Sequence, residues 1–97
     1  MKLDSDFIKQ ILLTMEQETD YVTNSHTLMQ KLKIKGKALE RKFMGHILVL
    51  GDEGLIDSLS AKYPFGFVYC VDGEYSILDV GYRLTSKGYK MLDMLKG

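Results

Sequence analysis

The chain has 97 residues, 45% of them apolar and 27% charged, and thirteen basic side chains balance thirteen acidic ones. Those proportions place it among ordinary globular proteins, long enough for one core without disulfide or metal staples, so a single domain over residues 1–97 is expected. Zero net charge argues against a strong nonspecific polyanion binder but leaves room for a local basic patch.

Residues 4–18 carry a strong helix signal, with Phe7, Ile8, Ile11, Leu12 and Met15 at helical spacing and Asp4 or Ser5 as the cap. Leu3 and Leu13 widen this apolar surface beyond one stripe. A connection with a short extended piece at Tyr21-Val22-Thr23 follows. Asn24 or Ser25 then caps a short helix carrying Leu28, Met29 and Leu32, and Gly36 breaks the pattern. A longer helix is predicted over residues 37–53, with Leu39, Phe43, His46, Ile47 and Leu50 on its inner face. Gly54 suits the left-handed residue that closes such a helix, and Leu55-Ile56 then starts a strand.

Residues 55–62 and 67–71 read as strands joined by a turn at Tyr63-Pro64-Phe65-Gly66. Asp72-Gly73 fits a two-residue hairpin turn. Residues 75–84 return as a third extended segment, with Gly81 as a candidate break. Thr85 caps the last helix, predicted over residues 85–96, with Tyr89, Leu92 and Leu95 inward.

Leu28-Met29-Gln30-Lys31-Leu32-Lys33-Ile34 resembles the first helix of a bacterial helix-turn-helix. Phe43, Ile47, Leu50 and Gly54-Leu55-Ile56 resemble its partner helix running into a wing, and Tyr82-Arg83-Leu84-Thr85 with Gly88 resembles the exit from that wing. With the N-terminal MKLDSDFIKQILLTME, the chain most closely resembles a family of short bacterial and phage proteins classed as a domain of unknown function. The resemblance implies an α+β winged helix-turn-helix: a three-helix core, a β-ribbon wing of two to three antiparallel strands, and a C-terminal helix. It brings no catalytic residues. Residues 35–42 make the gap between the two helices about one helical turn longer than the compact arrangement. Either the second helix has an extra N-terminal turn or the connection is enlarged.

Charge is unevenly spread. Residues 31–46 hold Lys31, Lys33, Lys35, Lys37, Arg41 and Lys42 against Glu40 alone, and residues 83–97 are also basic, while the first twenty residues are acidic. Such a patch suits phosphate contact, so Lys33, Lys35, Lys37, Arg41 and Lys42 are the candidate DNA-binding residues. Solubilising an exposed turn is the plainer use of the same lysines. Beyond Lys37 and Arg41, the outer face of the long helix offers Met44, Gly45, Leu48 and Asp52. Gly45 permits close approach, whereas Met44 and Leu48 suit a protein surface and Asp52 repels phosphate. The wing is poor in cations, with Lys62 at one turn and Asp72 and Glu74 at the other. Phe67 and Tyr69 are expected to fill the core, with Tyr63 and Phe65 covering its edge.

His26, His46 and Cys70 match no metal-site spacing, and His46 is expected to pack and hydrogen-bond nearby. No Gly-rich phosphate loop, nucleophile elbow or usefully spaced carboxylate pair occurs, so neither a cofactor nor an enzymatic activity is expected. The lone Cys70, the absence of a leader pattern and the lack of any apolar run near ~20 residues lead to a cytoplasmic expectation without membrane insertion. The leading expectation is a small DNA-binding regulator, and the rival is a winged-helix module that binds protein. The broad apolar surfaces of the first and last helices suggest a homodimer, or a thin domain that buries both helices on two sides.

Overall fold

The computed structural model describes all 97 residues. Helix α1 (Ser5–Glu16) starts at Asp4, whose carboxylate accepts from the Phe7 N–H at 3.1 Å. Its Ile11, Leu12 and Met15 are buried, and it touches α2, α4 and β5, which accounts for apolar residues beyond a single stripe. Strand β1 (Val22–Asn24) leads directly into α2 (Ser25–Lys31).

Neither Asn24 nor Ser25 caps α2 with its own side chain, contrary to the sequence expectation. The Asp79 carboxylate, 53 residues away, accepts from the His26 N–H at 3.0 Å. Ser25 is fully buried and its hydroxyl is shared with the same distant segment. It donates to the Leu78 carbonyl at 2.9 Å and accepts from the Val80 N–H at 3.0 Å. The start of α2 is therefore tied to the strand pair that closes the sheet. Its end is a Schellman turn, in which the Ile34 N–H donates to the Met29 carbonyl at 2.9 Å and Lys33 takes φ 57°. A left-handed non-glycine residue costs about 1 kcal/mol or more.

Helix α3 (Lys37–Asp52) absorbs the added residues as helix, so the longer gap extends its N-terminal end. Phe43, His46, Ile47 and Leu50 are buried as expected. Two assignments on this helix are reversed: Leu39 is 40% exposed, whereas Met44 is only 2% exposed. The reason is lateral cover. The β-ribbon lies along the flank of α3 that carries Glu40, Arg41 and Met44, and Leu39 leaves the helix away from it. Gly54 closes α3 at φ 73°, with the Leu55 N–H donating to the Leu50 carbonyl at 2.9 Å. A Cβ-bearing residue would be strained there.

Strands β2 (Ile56–Ser58) and β5 (Gly81–Leu84) form an antiparallel three-stranded sheet with β1, in the order β1-β5-β2. Ile56 faces Leu84, and Arg83 sits between Val22 and Asp57. The expected long strand over residues 55–62 ends at Ser58, because the Ser58 hydroxyl turns the chain by accepting from the Ser60 and Phe65 N–H groups. A short 3-10 turn (Pro64–Gly66) leads into β3 (Phe67–Tyr69), which pairs only with β4 (Tyr75–Ile77). The hairpin loop is Val71-Asp72-Gly73 rather than two residues, since the Cys70 N–H donates to the Glu74 carbonyl and Gly73 takes φ 89°. Phe67 is buried, but Tyr69 is 62% exposed and does not fill the core. The ribbon rises off the core between those two residues.

Helix α4 (Ser86–Lys96) starts at Thr85, whose hydroxyl accepts from the Gly88 N–H at 3.0 Å. It packs along α1, where Lys96 meets Glu16 at 2.6 Å. Inside, Tyr82 is fully buried, and its hydroxyl donates to the Phe65 carbonyl at 2.6 Å. Burial pushes that phenol well above the ordinary tyrosine range. The whole is an α+β fold of four helices and small antiparallel sheets around one cluster of 14 buried apolar residues.

Phe43, Ile47 and Leu50 lie at 0%, 0% and 1% exposure. Alanine at any one of them is expected to cost about 2–5 kcal/mol, a large share of the ~5–15 kcal/mol of a small domain. Urea midpoints of the three variants check this, and wild-type midpoints would count against the packing described.

Candidate nucleic-acid interface

The basic run begins in the connection between α2 and α3 and continues over the first turns of α3. Lys33 and Lys35 stand on that connection, exposed and in no ion pair. Lys31, just before them, is paired with Glu18. Lys37 and Arg41 are one helical turn apart and therefore share a flank of α3. Both meet the ribbon. The Lys37 ammonium lies 3.9 Å from the Glu74 carboxylate, with both groups largely exposed. The Arg41 guanidinium lies 5.8 Å from the centre of the Tyr75 ring. The Tyr75 hydroxyl donates to Glu40 at 2.6 Å, and this bond holds the phenol above its usual range.

Lys42 is placed elsewhere. Its ammonium lies 2.7 Å from the Asp4 carboxylate and 4.8 Å from the centre of the Phe7 ring, so it points at the start of α1. Beside it, buried His46 joins the same two helices. Its Nε2 accepts from the Asp4 N–H at 3.0 Å, which leaves the proton on Nδ1 to donate to the Lys42 carbonyl at 2.8 Å. The Phe7 ring meets the imidazole edge-on at 5.1 Å. His46 is thus packed and hydrogen-bonded, as its place on the apolar stripe implies.

Lys37 and Arg41 accordingly share the ribbon-facing flank of α3, Lys33 and Lys35 stand on the connection before it, with Lys33 beside Thr14 and Gln17 of the α1 end, and Lys42 belongs to the α1–α3 joint. Gly45 on the outer face does not stand open, because the Met1 thioether lies where its Cβ would be. A slot of about 390 Å³ runs between this part of α3 and the ribbon, lined by Met1, Arg41, Met44, Gly45, Tyr69 and Tyr75. Leu48 and Asp52, further along α3, are exposed. At the ribbon tip Asp72 and Glu74 bring negative charge, and Val71 is fully exposed.

His26, His46 and Cys70 do not converge. The His26 ring bonds to the Ile77 carbonyl at 2.8 Å, His46 is buried under α1, and Cys70 is exposed on the ribbon. No group of three His, Cys, Asp or Glu side chains is placed to hold a metal ion, and no helix is long and apolar enough to cross a membrane. Sequence reasoning missed Glu40, Tyr75 and Glu74 as partners of the basic run. The only local hint was Glu40 itself, the one acid among those cations.

The Lys42 ammonium and the Phe7 N–H hold the Asp4 carboxyl below its ordinary value of 3.8. Charged Asp4 therefore stabilises the fold above its unfolded-state pKa, and that contribution disappears as pH falls through the lowered folded value. Asp4→Asn, which can still cap α1, is expected to flatten the fall of Tm between about pH 5 and about pH 2. Lys42→Met is expected to do the same. Thermal melts across that range test it, and curves parallel to wild type would contradict the pairing.

Comparison with protein-family models, with curated proteins and with solved structures finds no match to this chain.

Proposed function

We propose that the chain is a winged-helix domain, akin to the short bacterial and phage family it resembles, and that it binds duplex DNA as a small regulator. The order of elements supports the fold reading: helix, strand, two helices, strand, ribbon, strand, helix, with β5 between β1 and β2. In that reading the connection 32–36 and the first turns of α3 meet the groove, and the ribbon is the wing. The observation that carries the function is the pair Lys33 and Lys35, exposed and unpaired on that connection, just ahead of Lys37 and Arg41 in the chain. In this reading these cations position phosphates, with Arg41 and Lys37 near base edges.

A second reading has its own support. Leu39 and Leu48 are exposed on α3, and Val71 and Tyr69 are exposed on the ribbon, as a protein-binding module would present them. The two readings separate experimentally. In fluorescence anisotropy with mixed-sequence duplex DNA, Lys33→Gln with Lys35→Gln is expected to weaken binding and reduce the salt slope by about 2, at unchanged Tm. Arg41→Ala should also blur sequence preference. No wild-type binding at about 100 µM protein in low salt would leave the protein-binding reading.

We also propose a homodimer. Within the chain α1 and α4 cover one another, yet Leu3 remains exposed at an apolar groove lined also by Ile8, Val49, Met91 and Leu95, and Met94 on α4 is exposed. A two-fold pairing across this side would bury them and present two DNA half-sites. Sedimentation equilibrium at tens of micromolar is expected to give twice the 11.1 kDa chain mass, and a monomer mass would remove the dimer.

A further inference from the structure

The cations on α3 are not free. Lys37 faces Glu74, Arg41 lies over Tyr75, and Tyr75 is itself held by Glu40 at 2.6 Å. These contacts fall within about one turn of α3 and within two consecutive residues of the ribbon. They bring two acids, Glu40 and Glu74, to the flank on which a phosphate backbone would have to lie.

We propose that the ribbon tip is an internal competitor for this surface: Glu74 and Tyr75 occupy Lys37 and Arg41, and an incoming nucleic acid must displace them. The inference rests on the DNA-binding reading above and adds its regulation. Three features make the tip displaceable while the fold stays intact. First, the Lys37–Glu74 pair is exposed and therefore weak, and the Tyr75–Glu40 bond is only partly buried. Second, the ribbon is a two-stranded sheet that pairs with no other strand, and its firmest anchorage is at its base. There Phe67 packs on Phe43 with ring centres 6.4 Å apart, and the Ile77 carbonyl is held by His26. Third, a slot of about 390 Å³ lies between α3 and the ribbon, so the tip has room to shift, and the main apolar contact it gives up is that of Tyr75 with the core.

A charge argument alone would make every tip acid equivalent, and the geometry does not. Asp72 makes no ion pair, and its carboxylate turns back onto the Glu74 N–H at 3.0 Å. Asp72→Asn therefore removes the same charge as Glu74→Gln without releasing Lys37. Tyr75→Phe releases the Glu40 bond without changing any charge.

Anisotropy titrations of one labelled mixed-sequence duplex with wild type and these three variants test the competitor. Glu74→Gln and Tyr75→Phe are expected to tighten binding about two- to five-fold, as loss of one weak contact allows, and Asp72→Asn to do so less. Without DNA, exchange of the Cys70 amide, bonded to Glu74 at the tip, should accelerate in Tyr75→Phe. That of the Leu78 amide, bonded to Gly66 at the base, should not change. Wild-type binding with an unaltered Tyr75→Phe affinity, or equal gains from Asp72→Asn and Glu74→Gln, would overturn the competitor and leave DNA binding standing. Binding by a released variant where wild type shows none would support it strongly. Absence of binding by all four proteins would overturn both readings, whatever the amide exchange shows.

Discussion

Burial of Phe43, Ile47 and Leu50 pins α3 at the centre of the molecule, and the other elements take their places from it. On one side Lys42 and His46 receive the start of α1: one through the Asp4 carboxylate, the other through the Asp4 N–H. On another side Phe43 meets Phe67 and so fixes the base of the ribbon. At the C-terminal end the Gly54 turn delivers Leu55 and Ile56 into the core and starts the sheet. Removing the apolar stripe would therefore unseat three neighbours at once, which is why a core residue on this helix matters more than its own buried area suggests.

The same placement divides the basic run by function. A helix with a fixed inner face has no freedom in where its flanks point, because successive residues advance by about 100°. Lys42 is one position beyond Arg41, and that step carries it from the ribbon side to the α1 side. Charge that looks like one cluster along the chain is thus split between a structural joint and an exposed surface. The exposed part is balanced locally by the ribbon acids and by Glu40, consistent with a chain whose net charge is zero. Any polyanion approaching this surface meets a field much weaker than the count of lysines implies.

A second joint is made from polar atoms rather than apolar area. Ser25 and Asp79 satisfy the first N–H groups of α2 and the turn before β5 together, so neither the helix start nor the strand entry is complete without the other. Buried polar groups so paired are costly to disturb, since each would be left without a partner. Ser25 is fully buried, and no buried side-chain nitrogen or oxygen lacks a hydrogen bond.

Most of the element order was legible from local signals. Apolar spacing locates α1, α3 and α4, the local pattern narrows the α1 cap to Asp4 or Ser5 and gives Thr85 for α4, and Gly54 marks a helix stop, because each of these depends on neighbours within one turn. The basic run was also legible, as composition along a short stretch. What sequence alone could not decide was everything settled by partners far along the chain. Met44 is buried because the ribbon lies over its flank of α3, whereas Leu39 has no such cover. The cap of α2 comes from Asp79, and the engagement of Lys37, Arg41 and Lys42 is set by Glu74, Tyr75 and Asp4. Periodicity determines which way a side chain leaves its own helix; only the packed structure determines what waits for it there.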